Sequence, residues 1–148
     1  MATIHNEILI NAPVERMWGI LANIEELEKY DPTVKKSTAI SAATSGMGAM
    51  RKVDMTDGKN WFEEKVVAFR QCEALAFELT ACSFPIHQLR HTYSFESAND
   101  QTRVTQVMEY QVKFGILGKL LDKLMIRKQT DAGVKKFLSG LKSYTEKK

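Results

Sequence analysis

Cysteine is scarce in this 148-residue chain: Cys72 and Cys82 are the whole complement. No CxxC pair or His/Cys cluster at metal-ligand spacing occurs, which argues against a structural zinc site, so no metal is expected. Both cysteines fall in one strand-like segment, 72–82, whose extended length would hold them about 30 Å apart. Free thiols are the expectation, as a reducing cytosol permits. Uncharged apolar runs are all far shorter than a membrane span, so no membrane insertion is expected. The opening residues Met1 to Glu7 show no basic region followed by an apolar stretch, which makes a cytoplasmic location the expectation. An excess of one charge sign is missing as well. The 21 basic and 18 acidic residues leave a formal charge of +3, too little to indicate a nucleic-acid partner. No Gly-rich phosphate loop, HExxH, GxSxG or nucleotide fingerprint is present, so the strongly signalled enzyme classes drop out and no cofactor is expected.

What is present is the composition of a soluble globular protein, 44% hydrophobic and 26% charged, at a length suited to a single domain over 1–148. Ile4, Asn6, Ile8 and Ile10 alternate with Thr3, His5, Glu7 and Leu9, as in a strand with one buried face. Asn11 is placed to cap a helix, Pro13 fits its first turn, and Val14, Met17, Trp18 and Leu21 recur at helical spacing. A second short helical piece over 24–30 stops at Asp31-Pro32. Turn signals then recur about every ten residues, Asp57-Gly58 the strongest of them. They separate strands predicted over 34–42, 49–56, 59–69, 72–82, 86–96 and 101–114.

The last segment, 115–148, has helical periodicity. Leu117, Leu120, Leu124, Val134 and Leu138 share a stripe, with Asp131 in its middle and Lys119, Lys123 and Lys135 among the flanking charges. A seven-stranded antiparallel sheet twists and curls, and closed around one long helix it encloses whatever volume the side chains leave unfilled. The predicted class is therefore α+β: a curved seven-stranded sheet wrapped around a long C-terminal helix, with two short helices after the first strand. Asp131 has two readings, a surface ion pair with its helical neighbours or a residue at the cavity mouth. Gly133 beside it suggests close approach of backbone or ligand.

The segment Ala12-Pro13-Val14-Glu15-Arg16-Met17-Trp18 opening the first helix, Tyr30-Asp31-Pro32, Gly46-Met47-Gly48, Glu64-Lys65-Val66-Val67, Tyr110 and Gly115-Ile116-Leu117-Gly118 carry a resemblance. In that order and spacing the chain resembles the START-like (SRPBCC) superfamily, in its polyketide cyclase/dehydrase and lipid transport branch. The resemblance covers nearly the whole chain and implies a helix-grip fold with an internal cavity for a hydrophobic small molecule. Family members include lipid and hormone binders, aromatic polyketide cyclases, quinone-binding partners and chaperone-activating modules, with no shared catalytic set. The tryptophan that many relatives place after the second helix is replaced here by Asp31-Pro32-Thr33-Val34.

Strand alternation nominates the site. His87, Leu89, His91, Tyr93 and Phe95 share the apolar face of the sixth strand, and Gln106, Met108 and Tyr110 that of the seventh. Phe77 and Leu79 are expected as walls from the fifth strand. In the fourth, Phe62, Glu64 and Val66 are turned inward because an inward Lys65 is harder to accommodate. A buried Glu64 would have its pKa raised by desolvation unless a histidine or lysine offset it. Leu124 and Asp131 complete the ligand-binding set from the helix. The leading reading is burial of a lipid, isoprenoid or aromatic polyketide, with His87, His91, Gln106 and Tyr110 orienting a polar group. The rival is a cyclase, dehydratase or isomerase drawing on His91, His87, Glu64 or Tyr110 for acid–base chemistry. A third reading is a protein-interaction module using the basic helix face or a sheet edge.

Overall fold

The computed structural model describes residues 2–113, 115–121 and 125–147. Strand β1 (Ala2–Ile10) leads into helix α1 (Val14–Ala22), then a single 3₁₀ turn at Leu27–Lys29. Six strands follow: β2 (Val34–Ala39), β3 (Met50–Met55), β4 (Trp61–Arg70), β5 (Ala74–Cys82), β6 (Ile86–Ala98) and β7 (Gln101–Val112). Helices α2 (Gly115–Leu121) and α3 (Arg127–Glu146) end the chain. The strands form one antiparallel sheet in the order β1-β7-β6-β5-β4-β3-β2. It is a meander in which β1 returns to pair with the last strand. Register irregularities in β2, β4 and β6 add local bend and twist, and the sheet curves around α3 in a helix-grip fold.

Several local expectations need correction. Pro13, not Asn11, is the N-cap of α1, with extended backbone and no side-chain cap; its carbonyl accepts from Met17 N–H at 3.2 Å. The second helical piece shrinks to the 3₁₀ turn because Asp31-Pro32 follows at once. Cys72 lies in the turn before β5 with φ +61° rather than within the strand, and both cysteines are free. The C-terminal segment is described as two helices, and its stripe is only half used. Val134 and Leu138 are buried, whereas Leu117 and Leu120 are 63% and 53% exposed. Leu124 and Lys123 lie outside the described residues.

The main core joins α1, the 3₁₀ turn, α3 and the inner face of the sheet. Trp18 packs edge-on against Phe69 at 5.0 Å and Phe95 at 5.6 Å between centroids. Val134, Phe137, Leu138 and Leu141 supply the buried face of α3, and Phe137 meets Tyr30 and Tyr93. Gly140 is required by packing: a Cβ there would collide with the Tyr30 carbonyl oxygen, so α3 sits directly on the end of the 3₁₀ turn. Polar ties fasten α3 to its neighbours. Arg16 Nε donates to the Thr145 carbonyl at 2.7 Å, Lys142 Nζ to the Leu9 carbonyl at 3.0 Å, and Asn6 Nδ2 to Asp131 Oδ1 at 3.0 Å. Among the described residues no helix is long and apolar enough to cross a membrane.

Candidate functional site

Between the concave face of the sheet and the N-terminal half of α3 lies a cavity of about 740 Å³. Its apolar wall includes Phe62, Leu79, Leu89 and Met108 from the sheet, Phe84 and Ile86 from the β5–β6 turn and its exit, and Val134 and Phe137 from α3. Exposed residues on both sides, Ser83 and Pro85 on the turn and Gln129, Ala132 and Lys136 on α3, also border it and mark where it meets solvent.

A polar chain crosses five strands at the other end. Arg51 on β3 stands directly opposite Glu64 on β4. Its Nε and Nη2 both donate to Glu64 Oε2 at 2.7 Å, and its Nη1 donates to the Ile24 carbonyl at 3.3 Å. Glu64 Oε1 accepts from His91 Nε2 at 2.7 Å, and His91 Nδ1 lies 3.0 Å from the Tyr93 hydroxyl. Gln106, opposite Tyr93 on β7, hydrogen-bonds that hydroxyl in turn. Phe77 forms the apolar backing: the Arg51 guanidinium sits 4.4 Å from its ring centre, and the His91 ring stacks on it at 5.1 Å. The five polar residues are all buried.

Such groups persist inside a protein only when their charges compensate. Desolvation pushes the Glu64 carboxyl upward, but the charges of Arg51 and His91 and their hydrogen bonds outweigh it and bring the pKa down to about 2. Desolvation likewise works against the Arg51 cation, and Glu64 more than offsets it. Tyr93 is pushed well above the ordinary phenol value by burial and then by the Glu64 charge. Asp31, at the same end of the cavity, is raised by burial although Thr33 donates to it through N–H and hydroxyl at 2.9 and 2.7 Å.

Of the residues nominated from sequence, Phe62, Glu64, Leu79, Leu89, His91, Tyr93, Gln106 and Met108 border the cavity. Four others lie elsewhere. His87 is exposed, because the irregularity between Ile86 and Gln88 shifts the pairing of β6 with β7 at that point. Tyr110 faces inward but is buried in a side cluster with Ile4 and Ile86, outside the cavity lining. Phe77 is buried behind the polar chain and does not line the volume. Asp131 points to Asn6 and to Lys135, 2.9 Å away, and these two hydrogen bonds lower its pKa; it is not at the mouth. Leu124 cannot be placed, being outside the described residues. Gly133 meets no neighbour; it borders open cavity space instead.

Arg51 was missed from sequence. Its signal was the alternation Arg51, Val53, Met55 on one face of β3, a cation on the same face as a buried valine. Among the described residues no group of three His, Cys, Asp or Glu side chains is placed to hold a metal ion.

The fold has well-matched solved counterparts. A protein from Thermus thermophilus superposes with a TM-score of 0.81 at 21% identity, covering 97% of both chains. The ZhuI aromatase/cyclase from Streptomyces matches at 0.85 and 10% identity, over 98% of this chain and 93% of its own. A START superfamily protein from Mycobacterium smegmatis matches at 0.74 and 15% identity, over 96% and 97%. At these identities the likeness concerns fold. No curated protein matches the sequence. The sequence profile described as polyketide cyclase / dehydrase and lipid transport matches residues 1–146, and with the sheet, gripped helix and cavity agreeing, the chain belongs to that family, with a START-like fold.

Proposed function

We propose that this chain binds a hydrophobic small molecule, such as a lipid, an isoprenoid or an aromatic polyketide, within the cavity and releases it unchanged. The observation that carries the reading is the cavity itself: about 740 Å³, walled by aromatic and aliphatic side chains, with its polar groups gathered at one end. That volume is within the range of small-molecule sites, and their usual composition is the same. Burying some 300 Å² of apolar ligand surface would supply about 7 kcal/mol before the cost of association is subtracted.

Acid–base catalysis is the second reading, favoured by the short His91–Glu64 contact of 2.7 Å. A general base needs a nitrogen free to take a substrate proton. Both ring nitrogens of His91 are engaged, one by Glu64 and one by Tyr93, and Glu64 is held ionised by Arg51. Binding therefore ranks first.

Native mass spectrometry of protein purified from its own organism tests the proposal. An apolar molecule should co-purify and should still do so with His91→Gln. Absence of any such molecule, together with failure of a fluorescent apolar dye to enter the cavity, overturns it; turnover abolished by His91→Gln in a folded protein moves the case to the enzyme reading.

A further inference from the structure

The polar chain ends at Gln106, and the unpartnered atom at that end says what it can accept. Glu64, ion-paired to Arg51 at 2.7 Å, is a carboxylate and can only accept hydrogen bonds. His91 Nε2 must therefore carry the proton shared with Oε1. Its Nδ1 lies 3.0 Å from the Tyr93 hydroxyl. Gln106, opposite Tyr93 on β7, meets that hydroxyl through its amide NH₂, since its Oε1 has no partner among the described residues. The carbonyl end is left over. Gln106 Oε1 is indeed buried with no hydrogen-bond partner among the described residues, on a side chain that is 2% exposed and borders the cavity. Its cross-strand neighbour on β1, Asn6, does not serve it, because the Asn6 amide nitrogen is turned to Asp131.

Resting on the binding reading above, we infer that the cavity's occupant is an apolar molecule bearing a hydroxyl or N–H that donates to Gln106 Oε1. A buried acceptor without a donor is costly, so a ligand that satisfies it gains over a shape-matched ligand that cannot. An ether, ester or quinone oxygen in that place meets the Gln106 carbonyl oxygen lone pair to lone pair. The inferred class is thus alcohols and phenols with an apolar body.

Matched probes test this: farnesol against farnesyl methyl ether, and 2-naphthol against 2-methoxynaphthalene, each measured by calorimetry and by displacement of an anilinonaphthalene dye. The wild-type chain should bind each hydroxyl compound about tenfold or more tighter than its ether. In Gln106→Leu that preference should disappear, the hydroxyl compounds losing affinity and the ethers losing none. Tyr93→Phe supplies an independent arm. It removes the group that holds the amide NH₂, lets the amide rotate, and should also erase the preference. Equal binding of alcohol and ether by the wild type, or a preference that survives both substitutions, overturns the inference and leaves the binding reading standing. If dye and all four probes fail to enter the cavity, the binding reading fails and takes the inference with it.

Discussion

Arg51 and Glu64 face each other across the β3–β4 pairing with two guanidinium nitrogens on one carboxylate oxygen at 2.7 Å, at 3% and 1% exposure. A buried pair of this kind is expensive to break and much less expensive to replace, because removing one member strands the other's charge in an apolar setting. Arg51→Met and Glu64→Leu should each cost about 3–5 kcal/mol in urea denaturation. The double variant should cost less than either single change. Additive losses in the thermodynamic cycle would show that the pair is not coupled.

The same pair sets the acid limit of stability. Glu64 has a folded pKa of about 2 against an ordinary 4.5, so between those values the unfolded chain binds more protons than the folded one. Its contribution is complete above the unfolded value and is lost as pH falls through the folded one. Asp31, raised by burial, acts in the opposite sense. Calorimetric melting temperatures should fall as pH drops from about 5 toward 2, and Glu64→Gln should flatten that slope while lowering stability at neutral pH. An unchanged slope in Glu64→Gln would remove Glu64 from the account.

Gly133 has helical backbone, borders the cavity and has open space where a Cβ would go. Gly133→Ala should raise stability by about 0.5–1 kcal/mol through helix propensity alone. Gly133→Phe should fill the volume and weaken apolar-dye binding by about tenfold or more without unfolding the chain. Dye affinity unaltered in a folded Gly133→Phe variant would place the binding volume elsewhere.

Gly140 is the contrasting case on the same helix, since a Cβ there meets the Tyr30 carbonyl oxygen, which is backbone and cannot swing aside. Gly140→Ala should cost about 3 kcal/mol or more despite its gain in helix propensity. Opposite signs for one substitution made at two helical glycines of α3 would be read directly from paired melting curves.

Much of the scaffold was legible because its signals are local. Alternation marked the inner faces of β1, β6 and β7, and the preference against an inward Lys65 correctly turned Glu64 into the interior, with Lys65 left exposed. The expectation for Glu64 was a raised pKa unless a histidine or lysine offset it. The offset comes from an arginine first and a histidine second. Arg51 escaped notice because its partner is thirteen residues away across a hairpin, and a cation at one inward position carries no local sign of the anion that will meet it. His87 misled for the reverse reason: simple alternation is broken where the pairing slips between Ile86 and Gln88, and a slip of one residue turns a side chain to the other face.

The sequence by itself determined the order of the elements, the family resemblance and which side chains on most strands face inward, since turn chemistry and period-two alternation act over a few residues. Only the tertiary structure decided which inward side chains meet empty space. Tyr110 and Phe77 point inward and are covered, whereas Gln106 and His91 reach the cavity. The difference arises from sheet curvature, strand register and where α3 rests, and these depend on contacts between residues as far apart as Asn6 and Asp131. The polar chain was likewise assembled only in three dimensions, because Arg51, Glu64, His91, Tyr93 and Gln106 become neighbours only when five strands stand side by side.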